Sequence, residues 1–228
     1  MLITGASKGI GYQTAIKLAQ CGHQVFAISR SQDRLEKLAN QTVPGRIVSI
    51  PMDLSVPSDF SKLAAAMSST THLDAVINNA GLLVHTPFFD SSMEEWYQQF
   101  EVNLFSVVRL LQYLKPKLGK GSHIVNISSM GGFQGSMKFE GLAAYSSSKG
   151  ALAILTECLN TEFAPKGISV NCLALGAVQT EMLDKAFPGF TAPVSAVQMA
   201  EFITNFVLNA QNMMSGKIIP VSLSNPTN

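Results

Sequence analysis

The sequence predicts an α/β protein built on a doubly wound, seven-stranded parallel sheet with helices on both faces. Seven short apolar runs rich in β-branched residues recur along the chain, separated by stretches with helical spacing of apolar residues. Strands that are apolar on both sides are typical of a parallel sheet covered on both faces. Of the 228 residues 46% are hydrophobic, which is enough for a large core without disulfides or metals. Because no linker or repeat interrupts the pattern, we predict one domain over residues 1–228.

The predicted elements follow from these runs in chain order. Strands are predicted at residues 1–4, 24–29, 46–51, 73–77, 123–128, 168–173 and 217–221. Helices are predicted at residues 10–21, 33–38, 58–67, 93–118, 144–164 and 196–209. Two longer segments, 130–143 and 176–195, follow strands and are predicted to be irregular. Ligands in open α/β sheets bind beyond the carboxyl ends of strands, so we expect a site at these two segments.

Composition and charge exclude several classes of function. Charged residues make up 14% and the net charge is +1, so neither a nucleic acid nor a membrane is expected as a partner. Cys21, Cys158 and Cys172 are far apart and odd in number, and the histidines lack metal-motif spacing, so no disulfide framework or metal site is expected. The chain begins without a basic leader and has no run of roughly 18 apolar residues, so a cytoplasmic protein is expected.

The first predicted strand runs directly into a glycine-rich turn, Thr4-Gly5-Ala6-Ser7-Lys8-Gly9-Ile10-Gly11, which opens a helix. Gly5 can make the tight turn, while Gly9 and Gly11 let the backbone approach a phosphate and the helix pack closely. The free N–H groups and the dipole at a helix start favour an anion. An ordinary strand–turn–helix is the alternative, but the position in the first βα turn favours a nucleotide site.

An ordered set of short motifs resembles the short-chain dehydrogenase/reductase family over nearly the whole chain. The glycine turn matches its TGxxxGxG pattern, Asp53-Leu54 follow the third strand and Asn78-Asn79-Ala80-Gly81 follow the fourth. Asn103 lies in the long helix, Ser129 ends the fifth strand, and Tyr145-Ser-Ser-Ser-Lys149 begins the next helix. Each motif is weak alone, and their order makes the resemblance specific. It implies a Rossmann fold and a nicotinamide-dependent oxidoreductase.

The Tyr145–Lys149 spacing places both side chains on one helix face, one turn apart. A nearby ammonium stabilises phenolate, so we expect Lys149 to lower the pKa of Tyr145 from about 10 and make it a usable general acid or base. Tyr113 and Lys117 share this spacing, but Pro116 lies between them and no strand-end serine precedes them. We therefore interpret Tyr113 as a packing residue with its hydroxyl at the surface.

The resemblance implies a role for each catalytic residue. Tyr145 donates a proton to a carbonyl oxygen or removes one from an alcohol, and Lys149 holds the nicotinamide ribose and tunes Tyr145. Ser129 positions the substrate oxygen; it is preferred to Ser128 because strand residues alternate sides and the family's serine is the last of this strand. Asn103 anchors a water-linked proton relay to Lys149. The alternative is that Asn103 is a structural residue inside a helix, with its amide hydrogen-bonded to neighbouring backbone groups.

The cofactor is predicted to be NADP(H) rather than NAD(H). Chains that bind NAD often carry an acid at the end of the second strand, whereas this chain reads Ile28-Ser29-Arg30. Arg30 suits a 2′-phosphate, and Lys8 adds a second positive charge nearby. The alternative is that both are ordinary surface cations without a role in binding. The resemblance implies that Asp53 and Leu54 flank the adenine. The predicted cofactor-binding residues are Gly5, Ser7, Lys8, Gly9, Ile10, Gly11, Arg30, Asp53, Leu54, Asn79, Ala80, Gly81, Tyr145, Lys149, Gly176, Val178 and Thr180.

The chain departs from the family pattern around the expected substrate site. The segment between Ser129 and Tyr145 is longer than usual, and its apolar residues suit an apolar substrate or pack as an ordinary loop. Leu175 precedes Gly176 where the family usually has a proline, which would rigidify the backbone near the nicotinamide. The segment after Thr180 is short, which suggests an open site or a bulky substrate.

We expect a homodimer or homotetramer, because the long helices carry apolar stripes. The stripes comprise Trp96, Phe100, Leu104 and Val107 on one helix, and Leu152, Leu155 and Leu159 on another, and part of each must belong to the core.

The function predicted from the sequence is an NADP(H)-dependent oxidoreductase that interconverts a carbonyl and an alcohol by hydride transfer, with Tyr145 as general acid/base. Its partner is a small-molecule carbonyl or alcohol. Two alternatives are a catalytically silent dinucleotide-binding sensor or scaffold, and an isomerase or dehydratase that uses bound nicotinamide.

Overall fold

The predicted strands form one parallel sheet in a computed structural model that describes residues 1–223. Residues 224–228, which the predicted domain includes, lie outside this part. The strands are β1 Leu2–Thr4, β2 Val25–Ser29, β3 Ile47–Pro51, β4 Ala75–Asn78, β5 His123–Ser129, β6 Ser169–Leu175, β7 Val178–Gln179, β8 Val194–Ser195 and β9 Ile218–Val221. Seven pair in the order β3-β2-β1-β4-β5-β6-β9, and every neighbouring pair is parallel. The order reverses between β1 and β4, the point at which doubly wound sheets open a ligand crevice.

Helices cover both faces of this sheet, as the apolar strands require. They are α1 Gly9–Gln20, α2 Gln32–Ala39, α3 Phe60–Ala66, α4 Met93–Phe100, α5 Ser106–Leu114, α6 Ala143–Phe163, α7 Glu181–Ala186 and α8 Ala196–Asn209. Successive residues of β1 enter different cores: Ile3 packs in the core that includes α1 and α8, and Leu2 in the core that includes α3 and α5. This alternation explains why the strands read as continuous apolar runs. No helix within residues 1–223 is long and apolar enough to cross a bilayer.

The segment predicted as one helix over residues 93–118 is helical from Met93 to Lys117, but it is not one uniform α-helix. α4 ends at Phe100, a π-helical turn spans Glu101–Phe105, α5 follows, and a 3₁₀ turn at Lys115–Lys117 contains Pro116. A π turn adds one residue to a helical turn and often marks a functional site. Asn103 lies at its centre and is fully buried. Apolar periodicity could not reveal the break, because the wide turn interrupts the helix without introducing a loop.

The prediction that residues 176–195 are irregular is wrong. β7 and β8 pair in parallel as a separate two-stranded sheet, and α7 lies between them. The Thr180 hydroxyl begins α7 by accepting a hydrogen bond from the Leu183 amide. These elements were too short to produce a periodic signal. We call residues 180–190 the flap.

A buried histidine lies in the middle of the sheet. His123 is fully buried in β5; its Nδ1 lies 3.0 Å from the Val207 carbonyl oxygen and its Nε2 lies 3.0 Å from Asn171 Nδ2. The Asn171 amide donates to the Met214 carbonyl and accepts from the Lys217 amide, which fixes its orientation. Nε2 must therefore accept and Nδ1 must donate, so the imidazole is neutral. Burial lowers the pKa of His123 despite the hydrogen bond to Val207.

This histidine should make the protein less stable in mild acid. As the pH falls below about 6.5, the unfolded chain protonates His123 while the native state does not, so the free energy of unfolding declines by at most about 1.4 kcal/mol per pH unit from this group. We expect urea unfolding between pH 7.5 and 5.5 to show a smaller decline for His123→Gln than for the wild type. The matched control is His72→Gln, at an exposed histidine, which should keep the wild-type decline. Equal slopes for wild type and His123→Gln would contradict the assignment.

Candidate active site

A single elongated cavity runs along the carboxyl ends of the central strands. Its volume is about 1130 Å³, larger than the roughly 300–1,000 Å³ usual for one small ligand. At one end it is lined by Arg30, Asp53 and Leu54, and at the other by Ser129 and Tyr145. Every predicted cofactor-binding residue except Gly11 lines it, whereas Asn103 lies behind its wall.

The glycine turn has the backbone shape that the sequence predicts. Gly5 and Gly9 have φ values of +68° and +57°, in the left-handed region that favours glycine. A Cβ atom at Gly5 would lie 2.8 Å from the Cα of Ala80. At Gly11 a Cβ atom would lie 2.5 Å from the Gly5 carbonyl oxygen, so this glycine serves close packing between helix and turn.

A set of hydrogen bonds between Thr4 and Asn79–Ala80, which we call the staple, joins the end of β1 to the segment after β4. The Thr4 hydroxyl accepts hydrogen bonds from the backbone amides of Asn79 and Ala80, at 3.0 and 2.9 Å. In return the Asn79 side-chain amide donates to the carbonyl oxygens of Thr4 and Gly5, at 2.9 and 3.3 Å. Thr4 is buried, so these bonds form inside the protein. The predicted cofactor residue Asn79 thus uses its amide to hold the glycine turn in place.

The two serines at the end of β5 point to different partners. The Ser128 hydroxyl is buried and donates to the backbone carbonyl of Lys149 at 2.8 Å. The Ser129 hydroxyl accepts from the Gly131 amide at 3.1 Å and hydrogen-bonds with Tyr145. Both serines line the cavity, but alternation along the strand separates their hydroxyls, so that of Ser129 interacts with Tyr145 and that of Ser128 does not.

The pKa of Tyr145 moves in the direction opposite to the expected one. Burial raises it, and the hydrogen bond with Ser129 opposes this only in part. Lys149 does not offset the burial, because its Nζ lies 6.0 Å from the centre of the Tyr145 ring and donates to the Ile127 carbonyl oxygen at 2.8 Å. Burial lowers the pKa of Lys149 itself to about 8. Tyr145 is therefore protonated at neutral pH, the form that can donate a proton.

Asn103 is held by groups that the sequence did not single out. Its Oδ1 accepts from the Leu82 amide at 2.8 Å, and its Nδ2 donates to the Leu82 carbonyl and to the Ser148 hydroxyl, each at 2.9 Å. A Cβ atom at Gly81 would lie 3.4 Å from both Asn103 Oδ1 and Lys149 Nζ. The two polar groups thus face the same spot, kept open by a glycine. The water-linked relay between them stays a prediction.

Close backbone contact positions the helix that carries Tyr145. A Cβ atom at Gly132 would lie 2.5 Å from both the Lys149 carbonyl carbon and the Gly150 nitrogen. Contacts with backbone atoms cannot relax by rotating a side chain, so only glycine allows this approach. Gly132 was not predicted, since nothing in a Gly131-Gly132 pair indicates which helix it packs against.

Charged groups gather at the end of the cavity where Arg30 lies. Lys8 Nζ and Arg34 Nη1 lie 2.9 and 3.4 Å from the carboxylate of Glu181, and Arg30 Nη1 lies 4.0 Å from Asp53 Oδ2. The Arg30 side chain is 80% exposed. Arg34 and Glu181 were not predicted, although Arg34 lies in the first turn of α2, shortly after Arg30, and Glu181 directly follows Thr180.

Apolar side chains close the opposite end. Met137, Phe139 and Leu142 come from the long segment before α6, and Phe187 and Phe190 come from the flap. The Phe187 ring lies 5.5 Å from His85 and 6.3 Å from Phe139, centre to centre. Three separate loops thus meet in an aromatic cluster at the cavity mouth.

The second Tyr–Lys pair lies elsewhere and has structural partners. The Tyr113 hydroxyl donates to the Phe60 carbonyl at 3.1 Å, and its ring packs 4.9 Å from that of Phe60. Lys117 Nζ donates to the carbonyls of Met67 and Thr70. Tyr113 is therefore a packing residue that stays 38% exposed, and its hydroxyl bonds to the first residue of the neighbouring α3.

Comparisons with known proteins agree with this geometry. The short chain dehydrogenase family model matches residues 1–189. The chain is 36% identical to carbonyl reductase [NADPH] 2 from Sus scrofa, over 79% of this chain and 72% of that protein. It is 32% identical to L-xylulose reductase from Mesocricetus auratus, over 96% and 93%. A Brucella melitensis short-chain dehydrogenase/reductase of the glucose/ribitol dehydrogenase type superposes with a TM-score of 0.89 at 26% identity, covering 100% of this chain and 96% of that one.

If the staple holds β1 and β4 together, loss of the Thr4 hydroxyl should lower the free energy of unfolding. Thr4→Val keeps the shape of the side chain but leaves the Ala80 amide without its acceptor, so we expect a loss of about 1–3 kcal/mol in the free energy of unfolding. Thr4→Ser keeps the hydroxyl and loses one buried methyl, so it should lose only about 0.8 kcal/mol. Chemical denaturation of both variants measures these changes in the free energy of unfolding. If valine proves no worse than serine, the hydroxyl does not hold the two strands together.

Proposed function

This chain belongs to the short-chain dehydrogenase/reductase family of oxidoreductases, and we propose that it interconverts a carbonyl and an alcohol with NADP(H), using Tyr145 as general acid/base. The observation that carries the proposal is the meeting of Ser129, Tyr145 and Lys149 in the wall of the cavity that begins at the glycine turn. The proposal treats residues 1–228 as one dinucleotide-binding and catalytic domain. The cytoplasmic location expected from the sequence stays a prediction.

The residues along the cavity fit a dinucleotide. The glycine turn offers backbone at Gly5 and Gly9 where a side chain would clash or be strained, which suits close approach of a pyrophosphate. Arg30 and Lys8 lie at the end where an adenosine 2′-phosphate belongs, and β2 ends in Ser29 rather than an acid. The NADPH in the name of the pig relative supports the same preference. Bound nicotinamide supplies or accepts a hydride at the substrate carbon.

The protein's own residues then handle the proton. The Tyr145 hydroxyl, protonated at neutral pH, donates to the carbonyl oxygen as the carbon is reduced, so the product is the alcohol. The Ser129 hydroxyl hydrogen-bonds the same oxygen while negative charge develops on it. The Lys149 ammonium, held by the Ile127 carbonyl, keeps a positive charge near the phenolate that remains. At neutral pH Tyr145 is therefore in the acid form that carbonyl reduction requires.

The substrate we propose is an apolar carbonyl compound. The lining beyond Tyr145 is dominated by Met137, Phe139, Leu142, Phe187 and Phe190. Apolar and aromatic walls bind by excluding water from hydrophobic surface, and a few polar groups orient the reacting atom. Here Ser129 and Tyr145 are those polar groups.

Two other functions use the same fold and are separated by experiment. A dinucleotide-binding sensor needs none of the side chains at Asn103, Ser129, Tyr145 and Lys149. An isomerase or dehydratase would change a substrate without net consumption of reduced cofactor. Consumption of NADPH with a carbonyl substrate therefore supports the oxidoreductase over both.

Tyr145→Phe should lower kcat for carbonyl reduction by on the order of 10²–10⁴-fold, because the proton donor is gone while the ring remains. The loss of reduced-nicotinamide absorbance is followed over a panel of apolar ketones and aldehydes. Tyr113→Phe is the matched control: it has the same substitution and the same spacing to a lysine, so it should lose stability of about 1 kcal/mol and no activity.

Three results would overturn this assignment. Activity retained in Tyr145→Phe removes the proposed acid. Tighter binding of NADH than NADPH removes the cofactor preference. NADPH binding without turnover over the whole panel favours the sensor.

We also propose a homo-oligomer assembled through the face of α4 and the π turn. Phe88, Trp96, Phe100 and Phe105 form a row of rings 6.1–6.5 Å apart from one to the next, and Phe89, 96% exposed, extends it. The Val107 and Leu152 side chains of the predicted stripes are instead buried in the core. Trp96 and Phe100 in the middle of the row are half-buried and the phenylalanines at its two ends are exposed, and an exposed aromatic patch is typical of an interface.

If the aromatic row forms the interface, the protein should be an oligomer in solution. By light scattering the wild type should have at least twice the 24.4 kDa chain mass, and Phe105→Asp should lower this mass by placing a charge in the row. Phe202→Asp, at an exposed phenylalanine on α8, is the matched control and should leave the mass unchanged. A wild type of monomer mass would contradict the interface.

A further inference from the structure

A shallow pocket of about 350 Å³ adjoins the adenine end of the main cavity. Four cationic side chains line it: Lys8 before α1, Arg30 after β2, Arg34 on α2 and Lys185 on α7. One carboxylate, Glu181, lies among them. Such a concentration of positive charge is the environment that a phosphate group selects.

Glu181 forms ion pairs with two of these cations, Lys8 and Arg34. Its Oε2 lies 2.9 Å from Lys8 Nζ and its Oε1 lies 3.4 Å from Arg34 Nη1. The hydrogen bond from Lys8 and its positive charge lower the pKa of Glu181, which is therefore ionised at neutral pH. All three side chains are between 40% and 52% exposed. Exposed ion pairs are weak, so a competing anion can displace the carboxylate.

We propose that Glu181 sets how strongly NADP(H) is preferred over NAD(H), because its carboxylate competes with the 2′-phosphate for Lys8 and Arg34, and that Arg34 and Lys185 join Lys8 and Arg30 as ligands of this phosphate. The inference rests on the proposed function and adds three residues to it: Arg34 and Lys185 as phosphate ligands, and Glu181 as the residue that competes with the phosphate. NAD(H) has a hydroxyl in place of this phosphate and does not compete for Lys8 and Arg34.

The sign of the effect follows from charge. A dianionic phosphate that enters the pocket must either displace the Glu181 carboxylate from its cations or lie beside it, and both weaken binding. Removing the carboxylate charge therefore favours NADP(H) alone. Specificity is a difference between two affinities, and here a repulsive group lowers one of them.

The test compares dinucleotide binding, measured by calorimetry without turnover. For Glu181→Gln we expect NADPH to bind roughly 3–10-fold more tightly at low salt, a gain the size of an exposed ion pair, while NADH changes less than about twofold. Adenosine 2′,5′-bisphosphate should show the gain and adenosine 5′-phosphate should not. Screening should shrink the gain at about 1 M salt.

Two further variants test whether the effect is specific to Glu181 and its cations. Asp184→Asn removes the same charge from the same short helix, but Asp184 accepts from Gln179 and not from a cation, so NADPH binding should stay near that of the wild type. Arg34→Gln removes one phosphate ligand and should weaken NADPH binding roughly 3–10-fold without weakening NADH binding.

The outcomes separate this inference from the proposed function. A wild type that prefers NADPH, with equal NADPH affinity in Glu181→Gln, overturns the inference and leaves the oxidoreductase standing. A selective gain in Glu181→Gln together with full activity in Tyr145→Phe supports the inference and overturns the proposed mechanism. An equal gain in Asp184→Asn overturns the specific role of Glu181. A wild type that binds neither dinucleotide overturns both proposals.

Discussion

The hydrogen bonds between Thr4 and the Asn79–Ala80 segment are the constraint on which the site depends. They tie the end of β1 to the end of β4 at the point where the sheet order reverses. The glycine turn leaves from one side of this staple, and Gly81, which faces Asn103 and Lys149, leaves from the other. The phosphate end and the catalytic end of the cavity are therefore fixed relative to each other by the buried Thr4 hydroxyl and the half-buried Asn79 amide, next to a parallel sheet that cannot slip without exposing apolar side chains.

The large elements of the fold were predictable because burial dictates their sequences. The seven main strands were found within a few residues, since each is apolar on both faces, and the glycine turn marked the first crossover. The π turn at Glu101–Phe105 was not predictable, because the side chains on both sides keep a helical pattern. The flap elements were not predictable either. β7 and β8 have two residues each, and they form through contacts with residues distant in sequence.

Within the site, motif order indicated which residues meet, and the structure supplied their physical state. Alternation predicted that Ser128 and Ser129 point to opposite sides, as their different partners agree, and the resemblance to the family favoured Ser129. The pKa of Tyr145 was not, because a sequence shows that Lys149 is one turn away but neither how deeply the tyrosine is buried nor that the ammonium donates to Ile127. Glu181 lies 173 residues from Lys8 along the chain, so no local pattern could pair them.

The flap has a consequence for how the cavity opens. α7 has six residues, too few to be stable as an isolated helix, and it is held at its ends: by the Thr180 cap and the Glu181 ion pairs at the start, and by the Phe187 ring contacts at the finish. Most of these contacts are partly solvent-exposed, so the free energy of local unfolding there lies at the low end for the molecule. Local unfolding of this six-residue helix would widen the cavity, with amide hydrogens that exchange long before those of β4 and β5, while the sheet that aligns the reacting groups stays folded.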